Sequence, residues 1–186
     1  MPADIISAAV ELFGEQGYER ASMREIAARA GCSPANLYHH HHSKYQLFVT
    51  IIERAMQLHL AGLRDALAAG DDAVDQLRRV LTHHLRLHME RPEVRLLGVD
   101  FRPLRGEERT RFIAERDQYE RGVRDIVAQG PFDVEDASLA VKVALTACTQ
   151  VDRWYRPDGE LSSEEVARRI AGFLLAGFRV REGAAV

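Results

Sequence analysis

The chain of 186 residues carries only two cysteines, Cys32 and Cys148, far apart in sequence, so neither a metal-binding nor a redox spacing is present. Lysine is almost missing: of 25 basic residues only Lys44 and Lys142 are lysine, which reads as codon-usage bias rather than mechanism. The formal net charge of −3 removes the global basic signature of a nucleic-acid binder, so any DNA contact must come from a local surface. No apolar stretch reaches the ~18 residues of a membrane span, and no apolar segment opens the chain as a signal peptide would. The cytoplasm is the expected compartment. There is no Gly-rich phosphate loop, no Ser-His-Asp order and no paired-carboxylate pattern, which argues against an enzyme.

What is present is helix. Only six prolines interrupt a composition rich in Ala, Leu, Arg and Glu. Apolar residues recur at helical spacing nearly throughout, and no strand pattern or internal repeat stands out. The periodicity predicts helices over about 3–16, from Ser22 to Gly31, and from Pro34 to the histidine run 39–42. Ser43 opens a long helix to Gly70, Asp71 or Asp72 caps one to Arg91, and 92–106 reads as broken by Pro92, Gly98, Pro103 and Gly106. Further helices are expected over 107–129, over 134–155 with Asp133 as cap, and over 162–181. The expected fold is all-α, about nine helices, with three short ones leading. Ser22 with Glu25, and Ser162 with Glu165, have the spacing of capping boxes.

Two short helices joined by Gly31-Cys32-Ser33 match a helix-turn-helix. The second starts with small residues, Ser33, Pro34, Ala35 and Asn36, as a recognition helix entering a groove requires. Asn36 has the amide that pairs bidentately with adenine. Tyr38 and His39 end that helix, and Ser43 and Lys44 open the next, where phosphate contact is favoured.

The segment "AAVELFGEQGYERASMREIAARAGCSPANLYHHHHSKYQLF" resembles the N-terminal domain of the TetR family of transcriptional repressors. It carries the AA-x-x-LF, S-x-x-x-IA-x-x-AG-x-S and LY-x-H-x-x-SK-x-x-L elements in order, across a full three-helix unit. The resemblance implies a homodimeric, all-helical repressor, with a helix-turn-helix head over 1–48 and a ligand-binding and dimerisation body over 49–186. It implies phosphate contact for Ser22 and Arg24, a DNA face of Ser33, Ala35, Asn36, Tyr38 and His39, and a phosphate anchor at Lys44. His41 and His42 depart from the family, which usually has an aromatic at the first position and Gly or Pro at the second. An imidazole plugging the head's small core makes head stability pH-dependent. The first fifty residues hold four basic and five acidic side chains, so non-specific attraction to phosphate is expected to be modest.

The stretches "FRPLRGEERTRFIAERDQYERGVRDIVAQG" and "TQVDRWYRPDGELSSEEV" resemble the bodies of TetR regulators of fatty-acid and steroid catabolism that respond to acyl-CoA thioesters. Such a ligand needs guanidinium groups for its phosphates and an apolar slot for its acyl part. Arg102, Arg116, Arg153 and Arg156 are the candidate cations, and Phe101, Phe112, Tyr119 and Trp154 the candidate walls or stacking partners. The last two helices, about 134–155 and 162–181, are rich in small and branched residues; the resemblance makes them a four-helix dimer interface. His84 and His88 stand four apart on one helix face, a metal-capable spacing, but a pocket wall or solvated face is the expectation, with no metal and no cofactor. Two other readings stay open: a helical metal-binding protein or enzyme using these histidines, and a dimeric adaptor without operator binding.

Overall fold

The structure, a computed structural model, describes residues 3–70, 72–99 and 101–178. Among them are nine α-helices and no strand, the all-α architecture expected from the periodicity. They are α1 (Ala3–Gln16), α2 (Met23–Arg29), α3 (Pro34–His40), α4 (Lys44–Ala68), α5 (Ala73–Glu90), α6 (Pro92–Val99), α7 (Gly106–Gln129), α8 (Ala137–Thr149) and α9 (Ser163–Gly177). A 3-10 helix, Gln150–Arg153, follows α8.

The chain forms two compact units, Met1–Met56 with Arg91–Ile113, and Gln57–Glu90 with Ala114–Val186. Helices α4 and α7 each run from one unit into the other. In the first unit, an aromatic trio forms the centre: Tyr18 and Phe48 have ring centroids 4.9 Å apart, and Phe13 lies 5.5 and 5.8 Å from them. Ile26, Ala27, Leu37 and Leu47 complete this core with no exposed surface. Burying such side chains contributes roughly 1.5–3 kcal/mol each before the entropy of ordering is subtracted.

Local chemistry sets the helix ends. Ser22 accepts from the Glu25 N–H while Glu25 Oε2 accepts from the Ser22 N–H at 2.9 Å, a complete capping box. Ser33 caps α3 through the Asn36 N–H at 3.1 Å, with Pro34 in the first turn where no intrahelical partner is missed. Between them Gly31 turns the chain at φ 65°, a left-handed conformation that side chains resist, and Cys32 N–H returns to Ala27 O at 3.0 Å. The expected break over 92–106 is corrected: its first part is helix α6. Pro92 stops α5 but also suits a helical first turn, and Glu93 there favours the helix dipole. Helix α6 packs on α1, and its buried Glu93 carboxylate is held by Arg54 at 3.3 Å and Arg91 at 3.7 Å.

In the second unit, α8 and α9 pack on α5, whose Leu77, Val80, Leu81 and Leu85 are buried. Asp72, within hydrogen-bond distance of the Val74 and Asp75 N–H groups, caps α5; the alternative cap, Asp71, lies outside the described residues. Helix α8 is shorter than expected at both ends. Asp136 rather than Asp133 caps it, accepting from Leu139 N–H at 3.0 Å, and the chain tightens to 3-10 after Thr149. Ser162 caps α9 as expected; residues 179–181 of the anticipated helix lie outside the described residues.

Candidate nucleic-acid interface and effector site

Helix α3 is attached to the first unit by one buried side chain, Leu37, while Ser33, Ala35, Asn36, Tyr38, His39 and His40 are exposed. A seven-residue helix held this way presents nearly its whole outer surface. The cap spends the Ser33 hydroxyl on α3 itself, leaving the Asn36 amide at the outer face of the first turn. Arg24 is exposed on α2, and Ser22 is half-buried with its hydroxyl bonded to Glu25 Oε2 at 2.6 Å. Helix α2 is held to α1 by Arg29, paired to Glu15 at 2.8 Å and Glu11 at 3.8 Å.

Lys44 departs from the role expected of it. Its Nζ donates to the carbonyls of Tyr18, Glu19 and Ala21 at 2.6, 3.0 and 2.9 Å, and lies 4.4 Å from the Tyr18 ring centroid. All three ammonium donors are thereby used, and the side chain clamps the start of α4 to the link between α1 and α2. His41 is buried at the C-terminus of α3, its N–H bonded to Leu37 O at 2.9 Å. Burial, then its neighbours His40 and His42, lowers its pKa, so it sits in the core as a neutral ring.

The expected effector residues are divided between the two units. Phe101 and Phe112 do meet, ring centroids 5.2 Å apart, in the first unit, where Arg102 is exposed. The others belong to the second unit. There Arg116 is exposed, with a guanidinium nitrogen 3.6 Å from Asp117. Arg153 and Arg156 are exposed as well, and Trp154 is 59% exposed. Trp154 is therefore no pocket wall within one chain. The reason is the 3-10 turn: Trp154 N–H bonds back to Val151 O at 3.3 Å, ending the helical register that a helix to 155 implied.

Tyr119 alone of this set lies in a buried polar centre, and the centre contains a residue absent from the expected set, His59 on α4. His59 stacks obliquely on His84 at 4.4 Å, His84 on His88 at 4.9 Å, and Tyr119 lies 5.3 Å from His59. Thr149 donates its hydroxyl hydrogen to Leu145 O at 2.9 Å, so its oxygen accepts from His84 Nε2–H at 3.2 Å. His84 Nδ1 then holds the lone pair and accepts from the Tyr119 hydroxyl at 3.1 Å. Burial, reinforced by the neighbouring rings, lowers the pKa of His59 to about 3 and that of His84 well below its ordinary value, and burial raises that of Tyr119. Both rings are neutral at pH 7. His59 Nδ1 has no hydrogen-bond partner, a desolvation cost of about 1–3 kcal/mol. A signal for His59 exists in the sequence: it interrupts an apolar helix face, in "MQLHLAG".

The model for bacterial regulatory proteins of the tetR family matches residues 5–58, and that for the tetracyclin repressor-like C-terminal domain matches 70–178. The chain belongs to the TetR family. The transcriptional repressor KstR2 of Rhodococcus jostii is 26% identical over 184 residues, 94% of this chain and 89% of KstR2. The TetR-family regulator PfmR from Thermus thermophilus has a TM-score of 0.78 at 34% identity, covering 94% of this chain and 98% of its own. AibR, in complex with isovaleryl coenzyme A and operator DNA, has a TM-score of 0.77 at 28% identity, covering 92% of this chain and 96% of its own. This TetR chain is thus a DNA-binding transcriptional regulator, not an enzyme. Among its described residues no helix is long and apolar enough to cross a membrane.

Proposed function

We propose that the protein is a cytoplasmic homodimeric repressor that leaves a pseudo-palindromic double-stranded DNA operator when a small molecule, an acyl-CoA thioester, binds its body. The observation that carries the reading is α3: a capped helix fixed by Leu37 and exposing Ser33, Ala35, Asn36, Tyr38 and His39. Two such helices in a dimer enter successive major grooves about 34–36 Å apart. Ser22 and Arg24 then meet phosphate, while Lys44 holds the frame. The head so defined is 1–48 and the effector and dimerisation body 49–186.

Helices α8 and α9 supply the second subunit's contact. Leu139 and Val143 on α8 are at least 60% exposed and Phe173 on α9 is 79% exposed, an apolar surface that a second copy would cover. The thioester class is supported by the likeness to AibR, solved with isovaleryl coenzyme A and operator DNA. Arg102, Arg116, Arg153 and Arg156 are the cations offered to its phosphates, and Phe101, Phe112 and Tyr119 the apolar contacts; Trp154, being exposed, serves as a stacking surface. Helix α4 provides the coupling element. Its 25 residues, about 37 Å of helix, begin beside α3 and continue into the unit that holds Tyr119. A coupling of about 1–3 kcal/mol is the scale required.

The test is fluorescence anisotropy of DNA from upstream of the protein's own gene, with and without a panel of acyl-CoA thioesters. Binding that one thioester relieves supports the reading. Tight thioester binding that leaves operator affinity unchanged refutes the effector.

A further inference from the structure

We propose that His59, His84 and His88 form a site for one divalent transition-metal ion of the zinc class, bridging α4 and α5 inside the second unit. The spacing of His84 and His88 supplies two ligands on one helix face and no more, which is why the sequence alone leads to no metal. Tertiary packing adds the third. One ring nitrogen from each of the three residues lies within 4.8 Å of the others, and all three rings are buried.

Two observations favour an ion over a merely packed polar core. The His84 Nε2–H is anchored on Thr149 Oγ1 at 3.2 Å, which fixes the tautomer and leaves the Nδ1 lone pair as the available donor. Metal-ligating histidines are held in this way, one ring nitrogen tied to a neighbour and the other on the ion. His59 Nδ1 is buried without a hydrogen-bond partner, so the folded chain carries a polar atom whose need an ion would meet.

The geometry is close to what zinc needs. Nitrogens at 2.0–2.1 Å around a tetrahedral ion stand about 3.4 Å apart, so a separation of at most 4.8 Å closes by ring rotation of about 1–1.5 Å. The Tyr119 hydroxyl, now 3.1 Å from His84 Nδ1, must swing off that nitrogen as the ion arrives. Three imidazoles leave the fourth position open to water. Neutral nitrogen ligands suit zinc, cobalt and nickel and disfavour calcium and magnesium, which want oxygen.

The exposed histidines His39, His40 and His42 give a competing, adventitious explanation for any metal uptake. The experiment therefore uses untagged full-length protein, stripped with chelator, in which His39→Ala, His40→Ala and His42→Ala are combined. Cobalt is titrated in and followed by its visible ligand-field absorption, then displaced by zinc. One tight equivalent per chain, with the strong bands of low coordination number and a zinc-dependent rise in Tm, is expected. His59→Phe, which keeps the ring volume, should weaken cobalt at least ~100-fold and abolish the zinc-dependent rise in Tm while circular dichroism still shows the helices. His59→Ala checks the same point with the ring removed. Absence of a tight equivalent in the triple variant, or equal affinity in His59→Phe, overturns the site.

Discussion

Replacing Lys44 by Met separates two roles that the residue type alone does not distinguish. The structure makes Lys44 an internal clamp, with three carbonyl acceptors at 2.6–3.0 Å and the Tyr18 ring beneath its ammonium. A hydrogen bond from a charged donor is worth about 1.5–3 kcal/mol. The three here share one ammonium and are partly solvated, so their values do not add in full. With a cation–π contribution of about 0.5–1 kcal/mol, the destabilisation on Lys44→Met is about 2–4 kcal/mol. For a chain of this size that lowers Tm by roughly 5–15 °C. Urea and thermal unfolding measure it directly. The salt dependence of DNA binding supplies the second readout. Removing one cation from a duplex phosphate lowers the slope of log affinity against log salt by about 0.9. The clamp predicts unfolding at lower urea and an unchanged slope in the fraction that stays folded. Unaltered stability together with a slope lower by about 0.9 would refute the clamp and restore the phosphate role.

His41→Phe should raise the stability of the first unit and flatten its acid dependence. The folded pKa of His41 lies below the unfolded value near 6.5, so the unfolded chain binds the extra proton and stability falls as pH drops below 6.5. Melting of chelated protein at pH 7.5 and pH 5 checks the sign. Gly62→Ala should destabilise by about 1–2 kcal/mol, because overpacking against His83 costs more than the roughly 1 kcal/mol of helix propensity gained. A Cβ there falls 2.1 Å from His83 Cδ2, and moving that ring breaks its bond to Leu58 O at 3.2 Å; an increase in Tm would contradict the packing. Phe173→Glu should convert a dimer to monomer at micromolar protein in sedimentation while leaving helicity intact, since Phe173 is 79% exposed within one chain. A variant that still sediments as a dimer would remove α9 from the interface.

The helix-turn-helix of this protein is legible because its signals are local. Ser22, Gly31, Ser33 and Pro34 each act on near neighbours in sequence, through a cap, a left-handed turn or a fixed φ. The errors have local causes as well. Pro92 reads as a stop, yet it is both the stop of α5 and the start of α6, and Asp133 competes with Asp136 as a cap because both precede the same apolar run. Periodicity extends α8 through residue 155, yet the structure turns to 3-10 at Gln150 and leaves Trp154 outside. Helical period does not register such a change of pitch.

By itself, then, the order of residues determined an all-α chain, a helix-turn-helix whose second helix opens at Ser33 and Pro34, and the caps that bound it. Only the tertiary structure decided that Lys44 spends its charge on three carbonyls and that His59 from α4 joins His84 and His88 from α5. Those outcomes depend on meetings between groups 23 to 29 residues apart in the chain. Which helix faces meet is set by close approach at Gly62 and by apolar burial summed over the whole unit, and no window of a few residues carries that sum.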